Sequence, residues 1–414
     1  MLKKLVVFFL FILFPLFATP KVTVGIDVLL SSDEYLATLK KKKVGLITNQ
    51  TAVNKQLLTT RELLKRNAAK HGYTLAALFA PEHGINGSAH ASENIQDDKD
   101  AAGIPIYSLH GKTRRPTTEM LKNIDLLIYD IQDIGSRSYT YITTLFYVME
   151  EAAKHKIPVI VLDRPNPING TVIDGPMLEA KWKSMVGYIN VPYCHGMTIG
   201  ELAQFFNEEN EIDCKLTIVP MKGWNRSMSF VDTGLPWIPT SPHIPEPSTT
   251  FYYPITGLLG ELQIVNIGVG YTLPFKVIGA PWINAASFSK QLNSKKFPGV
   301  HFLPFYYKPF YGRFSGEECE GVQIIITDSL QFKPVSTQYL IISVLNSLYP
   351  EKMKEAYSSS KLQKEMFCKV NGTDEIYHRM IAMNSLDKLT DVHKKEKEEF
   401  LTVRKKYLIA AYDE

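Results

Sequence analysis

Short runs of apolar and β-branched residues, separated by helical stretches, constrain this chain more than any other feature. They lie at 44–48, 75–80, 126–130 and 159–163, with a later one at 216–219. Each is apolar along its length rather than on alternate residues, which marks strands covered on both faces. Residues 57–69 and 141–155 between them have helical spacing, and in the second Leu145, Val148 and Ala152 share one face. This alternation predicts an α/β fold: a Rossmann-like, mostly parallel sheet with helices on both faces, spanning 21–240. The stretch 235–247 then places five prolines in thirteen residues and reads as an extended connection. Beyond it, β-like segments such as 322–327 and helical ones such as 336–348 predict a C-terminal α+β domain over 247–414. Its last helix, 396–408, presents Phe400, Val403, Tyr407 and Leu408 as a buried face.

Charge and motifs narrow the function. With 46 Lys and Arg against 42 Asp and Glu, a net +4 over 414 residues argues against a nucleic-acid partner. Lys3 and Lys4 precede a 13-residue apolar run and then Ala18, Thr19 and Pro20. That pattern is a secretory signal peptide over 1–19, too short for a spanning helix of roughly 20 residues. The mature chain is therefore expected to be exported, periplasmic or secreted, with no stable membrane span. Cys194, Cys214, Cys319 and Cys368 allow three disulfide pairings in an oxidising compartment, yet buried free thiols are the simpler expectation. Neither a glycine-rich nucleotide loop nor a GxSxG elbow follows a strand, so neither a nucleotide cofactor nor a serine nucleophile is expected.

Open parallel sheets bind ligands outside the carboxyl ends of their strands, where loops and helix N-termini converge. Four polar sets stand at those positions here. Thr48-Asn49-Gln50 follows the first strand and Pro81-Glu82-His83-Gly84 the second; Asp130-Ile131-Gln132-Asp133 and Asp163-Arg164-Pro165-Asn166 close the third and fourth. Their convergence on one rim predicts a binding or active site.

The same loops resemble a family once catalogued as a domain of unknown function and associated with exo-acting β-N-acetylmuramidases of peptidoglycan recycling. The likeness lies in Val44-Gly-Leu-Ile-Thr-Asn-Gln-Thr51, Leu78-Phe-Ala-Pro-Glu-His-Gly84, Pro105-Ile-Tyr-Ser-Leu-His-Gly-Lys-Thr113 and Tyr129-Asp-Ile-Gln-Asp-Ile-Gly-Ser-Arg137. It continues through Leu162-Asp-Arg-Pro-Asn-Pro-Ile-Asn-Gly170, Cys194-His-Gly-Met-Thr-Ile-Gly-Glu-Leu202 and Ile278-Gly-Ala-Pro-Trp282. The resemblance implies release of a non-reducing terminal N-acetylmuramic acid (MurNAc) from peptidoglycan-derived glycans, with neither cofactor nor metal. A non-catalytic wall-glycan binder and an exported hydrolase of another ester or amide are the alternatives.

Glycoside cleavage ordinarily uses two carboxyl groups. Glu82 is the expected acid or acid/base. The second carboxylate is sought among Asp130, Asp133, Asp163, Glu93 and Glu179, which lie in or beside the matching stretches; Glu179, on a loop able to cross the rim, is favoured, with Glu93 next. Substrate contacts are expected from Asn49, His83, Glu93, Asp130, Gln132, Arg137, Asp163, Arg164, Asn166 and His195. Among these, Arg137 suits a lactyl or peptide carboxylate, held by Asp130 and Asp133, and Asp163 is expected to pair with Arg164. Thr198 reads as a helix N-cap answered by Glu201. One departure stands out: the resemblance leads one to expect a basic residue between Gly268 and Gly270, where this chain has Val269.

Overall fold

The structure, a computed structural model, describes residues 22–90, 93–358, 360–382 and 386–413, so the expected leader at 1–19 lies outside it. The first unit is built on seven strands: β1 (Lys43–Thr48), β2 (Thr74–Ala80), β3 (Asp98–Lys99), β4 (Pro105–Ser108), β5 (Leu126–Asp130), β6 (Val159–Leu162) and β7 (Leu216–Val219). Their order is β3-β4-β2-β1-β5-β6-β7, parallel throughout except for β3. The chain runs outward from β1 in both directions, which makes the β1–β5 boundary the topological switch point. Neighbouring residues of one strand serve opposite cores: Leu46 and Ile128 pack with Leu63 and Leu64, while Ile47 and Leu127 pack with Leu145 and Phe146. That double coverage is why the strands carry no polar alternation.

Local signals set the helix boundaries. Thr59 with Glu62 and Thr198 with Glu201 form capping boxes at helices Thr60–His71 and Ile199–Glu209. Gly72 closes the former helix at φ 69°, a left-handed conformation that suits glycine. The sequence reading had not assigned β3 and β4. β3 is a two-residue edge strand and β4 a four-residue strand between β3 and β2; β4 begins with a proline, which the first position of a strand tolerates.

The second unit has an antiparallel sheet, β8 (Val277–Ala280), β10 (Cys319–Ile326) and β9 (Val300–Tyr307), in that spatial order. Helices Thr249–Gly260, Ala285–Ser294 and Pro334–Leu348 pack with it in one core. Two buried polar contacts join the units. Asp174 accepts hydrogen bonds from the Ser336 amide (2.9 Å) and hydroxyl (2.8 Å) at the start of helix Pro334–Leu348. The Arg137 guanidinium donates to the carbonyls of Pro176, Val191, Val370 and Asn371.

The last helix of the C-terminal segment packs back across the division at 247. Helix Lys394–Arg404 and the turns after it return to the first unit. Phe400 and Tyr407 meet the Phe205 ring edge-to-face, and Arg404 donates to the carbonyls of Gly170 and Gly196. The Tyr412 hydroxyl donates to Asp163 at 2.7 Å. The apolar face recognised in the sequence is thus real, but its partner is the Rossmann-like layer. All four cysteines are free and buried, and no helix among the described residues is long and apolar enough to cross a membrane.

Candidate active site

At the end of β2 the chain turns sharply. His83 has φ 69° and Gly84 φ 79°, and this left-handed pair leaves Glu82 directed across the strand ends. Glu82 is 8% exposed. Its Oε2 accepts the Thr140 hydroxyl at 2.7 Å, from the first residue of helix Thr140–Lys154. His110 Nε2 stands 3.5 Å from Oε1. Arg114 lies 3.0 Å from His110 Nδ1, and a guanidinium can only donate. Neutral His110 therefore carries its proton on Nε2, facing Glu82. Burial lowers the His110 pKa, with the Glu82 charge opposing and Arg114 reinforcing that shift. His83 holds the Ala89 carbonyl through Nδ1 at 2.8 Å, which bends the loop back beside the turn.

Asp133, just beyond β5, supplies a second carboxyl to this region. Its Oδ2 takes the Gly135 amide at 2.7 Å, while its buried Oδ1 has no hydrogen-bond partner. Burial pushes its pKa up to about 7. Tyr253, from helix Thr249–Gly260 of the second unit, stands where the charges of both acids reach it. Its hydroxyl lies 3.4 Å from the Ser138 hydroxyl. Burial raises its pKa to about 12, assisted by the charges of Glu261, Glu82 and Asp133. The rim is completed by His243 of the proline-rich connection, 2.8 Å from the Tyr311 hydroxyl. Burial lowers the His243 pKa, and His83 and His90 add to that effect. Three segments distant in sequence, the 81–90 loop, the connection at 235–247 and the β9–β10 loop, thus meet around His243, within reach of the charge of His83.

The Asp133 carboxyl makes stability depend on pH. Unfolded, it titrates near 3.9; folded, it titrates near 7. Between those values the folded chain keeps a proton that the unfolded chain releases, so stability falls as pH rises from about 4 to about 7 and then levels. Urea unfolding at pH 5 and pH 8 should show a difference between wild type and Asp133→Asn on the order of 2–4 kcal/mol, the variant being the less pH-dependent. Equal slopes in both proteins would remove this assignment.

The remaining candidates fall into a different environment. Arg164 pairs with Asp130, not Asp163, and Nη2 lies 3.1 Å from Oδ2. Thr60 also donates to Asp130. Asp163 accepts from the Arg164 and Gly200 amides and from the hydroxyls of Thr198 and Tyr412. Arg137 is fully buried, and its bonds go to backbone carbonyls rather than to Asp130 or Asp133; burial lowers its pKa to about 10. Asn49 accepts from Thr51, Gln132 holds the carbonyls of Asp133 and Pro165, and Asn166 holds that of Met197. His195 is buried, accepts the Met197 amide, and has a pKa lowered to about 3 by burial and by Arg404 and Arg137. These residues build the rim from inside: the switch-point crevice is filled by the Asp130–Arg164 pair and roofed by Leu235 and Pro236.

Glu179 is not brought to Glu82. Its carboxylate contacts Thr373, Lys181 and His393, all away from Thr140 and His110. Glu93 is exposed and accepts the His90 amide at 2.9 Å. Sequence reasoning missed His110, Thr140, His243, Tyr253 and Glu261. The signal for His110 was present, since Leu109-His110-Gly111 follows β4 as the other polar sets follow their strands.

A cavity of about 590 Å³ adjoins this site, lined by Tyr253, Glu261, Asn266, Val269 and Arg313 among others. Burial raises the pKa of Glu261 within it.

A parallel sheet with buried carboxyls at its strand ends, closed by a smaller α+β unit, defines a two-unit α/β protein with an acid–base pocket at the junction. The chain belongs to the exo-β-N-acetylmuramidase NamZ family: residues 44–248 match its N-terminal region and 251–409 its C-terminal region. It is 44% identical over 393 residues to the peptidoglycan β-N-acetylmuramidase NamZ of Bacillus subtilis, covering 94% of this chain and 92% of that one. A crystal structure of a DUF1343 family protein from Bacteroides fragilis superposes with a TM-score of 0.88 at 42% identity, over 94% of this chain and 99% of the other. A second protein of that description from the same organism gives 0.73 at 28% identity, over 94% and 98%.

Proposed function

We propose that this chain is an exported exo-β-N-acetylmuramidase that releases non-reducing terminal MurNAc from peptidoglycan fragments. Family membership supports the reaction class, and the surroundings of Glu82 support its chemistry. The observation that carries the reading is a buried glutamate with one oxygen on a hydroxyl and the other facing an imidazole N–H. Cleaving a glycosidic bond requires a proton on the departing oxygen and relief of positive charge at the anomeric carbon. Glu82 delivers the proton. The Thr140 hydroxyl both donates and accepts, so it serves Glu82 in either protonation state. His110, neutral and oriented by Arg114, faces the other oxygen at 3.5 Å without contributing a full charge. Asp133, with one oxygen unpartnered, is the second carboxyl; in its ionised form, reached as pH rises through about 7, it stabilises the positive charge developing on the sugar. Residues 1–19 direct export to the compartment where wall glycans lie.

The test is product analysis. Incubated with a chromogenic β-MurNAc glycoside and with the MurNAc–GlcNAc disaccharide (GlcNAc, N-acetylglucosamine), the protein should liberate free MurNAc, detected by mass spectrometry. Intact glycan chains should shorten only from their non-reducing ends. Saturable binding without released sugar would favour a wall-glycan binding protein instead.

A further inference from the structure

The cavity beside Tyr253 contains two ionisable groups that the chemistry at Glu82 does not use. Glu261 follows helix Thr249–Gly260 and is half-buried. No ion pair or side-chain hydrogen bond holds its carboxyl among the described residues. Arg313, on the loop between β9 and β10, also lines the cavity. Its guanidinium lies over the Phe314 ring at 4.4 Å and likewise has no carboxylate partner among the described residues. The Glu261 carboxyl and the Arg313 guanidinium share the lining of a cavity of about 590 Å³ without pairing with each other. A guanidinium left in this way is a ready fork for a carboxylate.

The scaffold under Arg313 is built rather than loose. Buried Asn266 donates to the carbonyls of Arg313 (2.9 Å) and Val269 (3.1 Å), and it accepts the Gly268 amide and the Tyr307 hydroxyl. The Phe310 amide donates to the Gly270 carbonyl at 2.7 Å. Gly270 has φ 90°, and a Cβ there would fall 1.9 Å from the Tyr311 carbonyl oxygen, so only glycine permits this approach. Two loops are thereby locked together with the guanidinium at the cavity wall. Tyr253 connects that cavity to Ser138, two residues before the Thr140 that binds Glu82.

We infer that this cavity is a substrate subsite in which Arg313 binds a carboxylate carried by the glycan, with Glu261 on the facing wall donating or accepting a hydrogen bond. The inference rests on the glycosidase reading above and adds the group that is recognised. Two sources share that chemistry: the lactyl carboxylate of MurNAc itself, and the carboxylate of a peptide stem attached to it. Burial raises the Glu261 pKa, and wherever the group is protonated it donates to the same ligand instead of repelling it.

Kinetics on the mature chain decide it. Arg313→Gln should raise KM about tenfold to a hundredfold, the range of a charge-assisted hydrogen bond, on whichever of two substrates offers the recognised carboxylate, the chromogenic MurNAc glycoside or its dipeptide derivative, with kcat changed far less. Arg313→Lys should recover part of the loss. Lys308→Gln, an exposed cation outside the cavity, serves as the control and should behave as wild type. A MurNAc–dipeptide substrate separates the sources. If the lactyl group is the ligand, its amidation should raise the wild-type KM and erase the Arg313→Gln effect. If the stem is the ligand, only the dipeptide substrate should respond to the substitution. An unchanged KM on both substrates would overturn the inference while leaving the glycosidase reading intact. Failure of the wild type to release sugar would instead count against that reading. Calorimetric binding of free MurNAc and MurNAc–dipeptide to wild type and Arg313→Gln would then test the subsite on its own, and equal affinities would reject it.

Discussion

Glu82→Gln should abolish turnover and leave the fold in place. The substitution preserves shape and keeps an oxygen for the Thr140 hydroxyl at the position now 2.7 Å away, but it cannot carry an exchangeable acid proton. General acid–base catalysis contributes about 10²- to 10⁴-fold, and kcat on a chromogenic β-MurNAc glycoside should drop by that amount. The loss should appear in kcat rather than KM, because a proton in transit is an interaction of the transition state. Urea unfolding of the variant should match wild type within about 1 kcal/mol, since an isosteric change at a partly satisfied site leaves packing unaltered. Activity within tenfold of wild type would remove Glu82 from the acid role. In that case Asp133, whose pKa of about 7 also lies in a useful range, would inherit it.

Arg137→Met should be the most destabilising of the single changes considered. The guanidinium is completely buried and has no carboxylate partner among the described residues; its two terminal nitrogens donate to four carbonyls, while buried Nε has no hydrogen-bond partner. Pro176 and Val191 belong to the first unit, Val370 and Asn371 to the second, so one side chain ties both together. Methionine fills part of the volume but leaves those carbonyls to find new donors in a closed interior. Loss of a buried charged hub of this kind costs about 3–5 kcal/mol, read as a shift of the urea midpoint at constant slope. Arg137→Lys should not restore stability, because a single ammonium cannot span carbonyls on two sides as a planar fork does. At a temperature where the variant stays folded, KM for the glycan should remain near the wild-type value. A specific rise in KM with unchanged stability would instead return Arg137 to the role of carboxylate clamp suggested by the sequence.

These two residues show what was legible before the fold was known. Glu82 was recognisable because an apolar strand ends immediately before it, and strand ends are where parallel sheets collect ligand groups. Arg137 stood in an equally conspicuous stretch, yet its fork points into the joint between units. Nothing local to Gly135-Ser136-Arg137 distinguishes those outcomes, because the carbonyls of Val370 and Asn371 lie more than two hundred residues away in the chain. The same holds for the second carboxyl. Glu179 was favoured for its place on a loop; the loop is held instead by Thr373 and His393. Asp133 was in view but had been assigned to Arg137.

The sequence alone determined the strand–helix alternation, the doubly covered sheet, the capping box at Thr198 and the position of Glu82 at a strand end. These depend on periodicity and on contacts within a few residues. Only the tertiary structure decided which charged groups pair, that Tyr253 and the β9–β10 loop come to the Glu82 side of the sheet, and that the C-terminal helix returns to the first unit. Burial and electrostatic partnership are set by which surfaces meet across the whole chain. Neither an aspartate's pKa nor an arginine's partner is a property of the residues beside it.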